Sequence, residues 1–168
     1  RERVIVAALH QHDAPVVDME AGRLLREVGL ADELYDEAFH RDVLQRVAAA
    51  ARESLSKTRR VTSIGTGKAE ADRIASSRRM VDENGRVHFG RGSSSGKDPK
   101  SATAPEGDVD RWLRTVALLD GDEVIVELHS YATHPMSYYG RGEVTSDFVG
   151  LARKQRQSEL PSSQQIYF

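Results

Sequence analysis

Apolar positions along the chain fall into two periods. Val4-Ile5-Val6-Ala7-Ala8-Leu9 is a short continuous run rich in β-branched residues, which predicts a buried strand over residues 3–9. Residues 60–69, with Val61 and Ile64, read as a second strand interrupted by Gly65-Thr66-Gly67. Trp112 to Leu119 and Glu123 to Thr133 flank the turn Asp120-Gly121-Asp122, which predicts an antiparallel hairpin. Asn84-Gly85 predicts a smaller hairpin between Met80-Val81 and Arg86-Val87-His88-Phe89. Gln164 to Phe168 enters a further strand.

Three segments carry the helical period instead. Leu34, Ala38, Leu44, Val47, Ala48, Ala51 and Leu55 recur at steps of three and four, predicting a helix from about Asp32 to Ser56 that covers one face of a sheet. A short helix is expected within 19–29, around Leu24, Leu25 and Val28 and ended by Gly29. Ser146 or Asp147 caps a third, over about 147–157, with Arg153, Lys154 and Arg156 suiting the negative end of its dipole. Residues 76–110 are loop-rich, and Gly90 to Ala104 is expected to be exposed or mobile. Alternation of both periods predicts an α/β domain: a mixed β-sheet flanked by helices, one domain over 1–168.

Composition narrows the function classes. Across 168 residues the net charge is −2 with both signs interleaved, so no one-sign field points to nucleic acid or an anionic membrane. No stretch approaches the ~20 apolar residues of a membrane span. Without cysteine there are no disulfides and no thiolate-held zinc, leaving His, Asp, Glu and Tyr as metal ligands. The chain starts at Arg1 inside strand-like sequence and stops at Ile166-Tyr167-Phe168 in another, so both ends read as cut, and any signal peptide would lie upstream.

Candidate chemistry sits where strands end. His10-Gln11-His12-Asp13-Ala14-Pro15 closes the first apolar run, and His134-Pro135 closes the second strand of the large hairpin. Imidazole is the commonest neutral metal ligand, and two such strand ends can deliver ligands to one spot. The plainer reading of His134 is a polar cap on a sheet, and a lone His-x-His is of modest specificity for a metal. His129 precedes His134 by an odd separation, falls on the opposite strand face and reads as structural; His40 and His88 read as surface residues. Asp147 either caps its helix or orients a ligand imidazole from behind. Arg78 and Arg79 are either solvated or hold a carboxylate or amide oxygen. No Gly-x-Ser-x-Gly nucleophile is present, Ser93-Ser94-Ser95 belongs to the Gly/Ser-rich loop, and Gly65-Thr66-Gly67 lacks the rest of a phosphate loop. Metal-activated water is therefore the hydrolytic mechanism these residues favour.

Taken in series, these motifs resemble the N-terminal catalytic domain of the neutral/alkaline non-lysosomal ceramidases. His10-Gln11-His12-Asp13-Ala14-Pro15 resembles the family's His-Thr-His-Ser-(Gly/Ala)-Pro, and Ser77-Arg78-Arg79 its Asn-Arg-(Arg/Ser). Val109-Asp110 is similar to the family's Val-Asp strand entry, Tyr131-Ala132-Thr133-His134-Pro135 to its His-Pro strand end, and Ser146-Asp147-Phe148-Val149-Gly150 to its Ser/Ala-Asp-x-x-Gly helix start. Gln11, Asp13 and Ser77 depart from the pattern.

The resemblance implies a Zn2+-dependent hydrolase of linear amide C–N bonds, acting on the N-acyl amide of a sphingolipid-like substrate. It implies His10 and His134 as zinc ligands, His12 beside the metal, Arg78 as an active-site arginine and Asp147 as a nearby carboxylate. The family's remaining ligands, a Glu and a Tyr, would fall past Phe168, so the segment alone is expected to be inactive and to bind zinc weakly. Secretion, a periplasmic site or the cell surface is the implied location. A zinc hydrolase of another amide or ester, or a carbohydrate- or surface-binding module that retains the fold, are the alternative functions.

Overall fold

The computed structural model describes residues 4–31, 33–92 and 98–168; Asp32 and the expected Ser93-Ser94-Ser95 loop lie outside the described residues. The chain divides into two compact units, one formed by Ala14–Arg60 and the other by Arg1–Asp13 with Val61–Phe168.

The smaller unit is helical. Its first helix, α1 (Met19–Glu27), is capped by Asp18, whose carboxylate accepts the Ala21 amide at 2.9 Å. Gly29 follows it with φ +78°, the left-handed geometry that ends helices. The second helix, α2 (Glu37–Ser54), starts later than its apolar stripe predicts, because the Asp36 carboxylate accepts the Phe39 amide at 2.9 Å and fixes the cap there. Just before it, the buried Tyr35 ring lies against Gly22 of α1, where a Cβ would come within 2.8 Å of the ring. No residue of α2 itself is buried, and Leu44 and Val47 are 54% and 61% exposed.

The larger unit is built on a four-stranded mixed sheet. β1 (Ser63–Glu70) pairs antiparallel with β4 (Trp112–Asp120), which forms a hairpin with β5 (Glu123–Ser130) across Gly121, and β5 pairs in parallel with β6 (Gln164–Tyr167). Parallel pairing needs a crossover, and α4 (Asp147–Glu159) supplies it. Between β1 and β4 lie a two-stranded hairpin, β2 (Arg79–Val81) with β3 (Val87–Phe89), turned at Gly85, and a short helix, α3 (Pro99–Thr103). Helices and a mixed sheet together make the fold α/β. No described helix is long and apolar enough to cross a membrane.

Residues 4–9 correct the strand expected there. They join no sheet, and Ile5 and Val6 are 95% and 91% exposed. An apolar run forms a strand only when a neighbouring edge takes its hydrogen bonds, and none does so among the described residues.

The buried face of β5 is partly polar. Glu127 is buried and receives both arms of Arg156, at 2.8 and 3.0 Å. His129 is held on both ring nitrogens, by Thr115 Oγ1 and Gln165 Oε1 at 2.8 Å each, as a structural histidine should be. The Arg156 guanidinium holds the Glu127 carboxyl below its ordinary range. A carboxyl lowered in the fold stabilises it above the unfolded pKa, and that contribution fades as pH falls through the lowered value. Glu127→Gln is expected to cost about 1–2 kcal/mol at neutral pH in urea unfolding. The difference from the parent should close on acidification; a gap independent of pH would refute the ion pair's role.

Candidate metal centre

The three histidines singled out at strand ends meet in space. His10 and His12 come from the segment leading out of residues 4–9, and His134 from the loop after β5. Their ring centroids form a nearly equilateral triangle: His10–His12 4.9 Å, His10–His134 4.9 Å and His12–His134 5.0 Å. The His10 and His134 rings stack at 16°, while His12 stands edge-on to both and also to Tyr139. One nitrogen from each ring lies within 4.8 Å of the others.

A common anchor brings the two segments together. Gln11 Nε2 donates to the Thr145 carbonyl at 2.8 Å, Thr145 N–H donates to the Asp13 carbonyl at 2.9 Å, and Gly140 N–H donates to Asp13 Oδ1 at 3.2 Å. The first histidine motif is thus tied to the loop that follows the second. Gln11 and Asp13, both departures from the ceramidase pattern, are the residues that make these ties.

Asp147 holds that loop from below. It is 1% exposed, and its carboxylate accepts the amides of Ser137 and Tyr138 at 3.1 Å each and of Phe148 at 2.6 Å. Its acceptor capacity goes to backbone amides and none of it to an imidazole, so it positions the His134 loop rather than a ring. The cap residue of α4 is Ser146, which makes no side-chain capping bond. Gly150 explains the Ser-Asp-x-x-Gly spacing, since a Cβ there would collide with the Ser146 side chain.

Arg78 reaches the cluster and Arg79 does not. Arg78 Nη2 lies 3.3 Å from His134 Nδ1. Guanidinium only donates, so Nδ1 accepts and a neutral His134 carries its proton on Nε2. Burial first, then the neighbouring His10, His12 and Arg78, lowers the His134 pKa below the ordinary imidazole value. Arg79 lies in β2. Arg91, which the sequence did not single out, secures the Arg78 loop. Its guanidinium donates to the carbonyls of Ser77 at 3.2 Å, Pro105 at 2.8 Å and Ala104 at 2.5 Å, and twice to Ser101 at 3.2 Å. Only the Gly-Arg-Gly context of a loop hinted at it.

The donor set suits a divalent transition metal. His12 Nε2 is buried without a hydrogen-bond partner, an arrangement that is costly unless something else takes the lone pair or proton. Tetrahedral zinc with Zn–N of about 2.0–2.1 Å needs nitrogens about 3.4 Å apart, so a modest inward movement of the exposed His10 and His134 rings toward the half-buried His12 closes the triangle. Three imidazoles leave one position open, the shell that catalytic zinc uses.

No protein-family model, no curated protein and no solved structure matches the chain.

Asp147→Asn replaces one acceptor oxygen by a donor facing an amide. It is expected to lower stability by about 2–3 kcal/mol in urea unfolding and to alter the His134 ring resonances by NMR. Unchanged stability would remove Asp147 from its place under the loop.

Proposed function

We propose that this chain is a zinc-dependent amidohydrolase resembling the neutral ceramidases, and that His12, which the resemblance implies beside the metal, joins His10 and His134 in holding it. The observation that carries the reading is the convergence of three imidazoles, one with a buried unpartnered nitrogen, on a spot within reach of Arg78. Zinc held there would supply Lewis acidity toward an amide carbonyl and lower the pKa of a water molecule. Arg78 has one donor on His134 and its other N–H groups uncommitted among the described residues, so its fork can receive the developing oxyanion. Asp147 and Arg91 contribute by keeping the His134 and Arg78 loops in place.

Two neighbouring cavities bear on the substrate, one of them lined by Arg78 and His134. An apolar cleft of ≈ 680 Å³ on the sheet face shares Ile74 and Phe148 with a more polar cavity of ≈ 780 Å³ that includes Arg78 and His134. The apolar cleft supports an acyl-chain substrate, as the ceramidase resemblance implies. The polar cavity favours the second reading, a zinc hydrolase of a different amide or ester.

Cobalt(II) substitution tests the proposal through coordination instead of turnover. The chain should take up one cobalt ion with a tetrahedral visible spectrum, and acetohydroxamate should perturb it by entering an open position. His10→Ala/His134→Ala should abolish uptake. Absent uptake, or uptake equal in the double variant, overturns the metal assignment, and a spectrum blind to acetohydroxamate overturns the hydrolase. Arg78→Ala removes a positive charge and a competitor for His134 Nδ1, so calorimetry should show zinc affinity rising severalfold. Binding should weaken as acid protonates the imidazoles, with His134 resisting to lower pH than an ordinary histidine because its pKa is lowered.

A further inference from the structure

Among the described residues only three other than glycine have left-handed backbone: His10 at φ +53°, Arg73 at +60° and Asp147 at +54°. Such conformations cost free energy in L-residues and concentrate where geometry serves function. His10 and Asp147 belong to the candidate metal centre. Arg73 lies in the loop after β1 and lines the polar cavity with Arg78 and His134. Its guanidinium makes no hydrogen bond or ion pair among the described residues.

Three arginines and three carboxylates line this cavity, and they differ in how far each is already paired. Glu106 pairs with Arg111 at 2.8 Å, a guanidinium it shares with Asp72 at 3.6 Å and Glu70 at 4.0 Å, and Asp110 pairs with Arg114 at 2.7 Å; both arginines lie outside the lining. What remains in the lining is Arg73, Arg78 and Arg91 against a single unpaired carboxylate, Asp108. Arg91 has spent its donors on backbone carbonyls, so Arg73 and Arg78 are the groups with donors to give. Two guanidinium forks with free donors in one concave site match an oxyanion, carboxylate or phosphate, in the bidentate geometry that arginine favours.

We infer that Arg73, with Arg78, forms an oxyanion-recognition subsite beside the histidine cluster, and that the amide cleaved there carries an acidic group close to the scissile bond. N-acyl amino acids and N-acyl phosphoamines are compounds of this class; N-acylsphingosine, which has no anion, is not. The inference rests on the hydrolase reading only in placing the amide at the histidines, and the oxyanion contact is testable without metal.

Calorimetric titrations of the metal-free chain in chelator buffer would use N-hexanoylglycine, N-hexanoyl-O-phosphoethanolamine and the neutral N-hexanoylglycinamide. At least one acid should bind about tenfold or more tightly than the neutral amide, and the tighter acid identifies the natural oxyanion. Arg73→Gln should remove that preference and Arg73→Lys should restore part of it, since lysine keeps the charge but not the fork. Equal binding of acids and neutral amide by the parent, or a preference unchanged in Arg73→Gln, would overturn the inference. Failure of cobalt uptake with the acid preference intact would instead sink the hydrolase alone.

Discussion

The buried Asp147 carboxylate is the constraint on which the site depends. It sits at the start of α4 with left-handed backbone and gathers the amides of Ser137, Tyr138 and Phe148. A carboxylate this deep is tolerated because several N–H donors surround it. Those donors fix the loop that begins with His134 and ends at Thr145. Through Gly140 and Thr145 the same loop then captures Gln11 and Asp13. Histidines far apart in sequence therefore share one platform, and the geometry of the triangle is inherited from hydrogen bonds to backbone groups that no histidine side chain makes.

That arrangement separates stability from chemistry. β5 carries a polar network of its own, in which Glu127, Arg156, His129 and Gln165 satisfy one another beneath the sheet. The strand end beyond it is released into the loop of His134. The exposed His10 and His134 are free to move by the ångström or so that a metal demands, while the strand that feeds His134 stays locked. Arg78 occupies His134 Nδ1 in the meantime, a cation standing near the place proposed for another cation.

The sheet was largely legible in the sequence because its signals are local. The Asp120-Gly121-Asp122 turn, the Asn84-Gly85 hairpin and the Asp147 helix start each follow from residues within a few positions of one another. His129 was readable as structural from strand parity alone. Residues 4–9 misled because a buried strand is a statement about a partner, and the run names no partner. The helix placed from Asp32 began at Glu37 because a single side-chain cap at Asp36 outweighs an apolar stripe. Asp147 reads from the sequence either as the cap of its helix or as a partner for a ligand imidazole; its carboxylate binds backbone amides, of the preceding loop and of Phe148, and residue type cannot distinguish these uses. Arg73 was not visible at all and Arg91 only through its Gly-Arg-Gly loop, since what marks them is a backbone angle and a set of carbonyls.

The shell itself is the most direct thing to measure. Zinc K-edge X-ray absorption on the zinc-loaded chain reports both ligand distance and the number of imidazoles, through their multiple-scattering pattern. Three imidazole nitrogens are expected at about 2.0–2.1 Å, with one oxygen ligand that lacks the imidazole scattering pattern completing the shell. A shell with one imidazole or none, or one unchanged when His12 is replaced by alanine, would contradict the three-histidine centre.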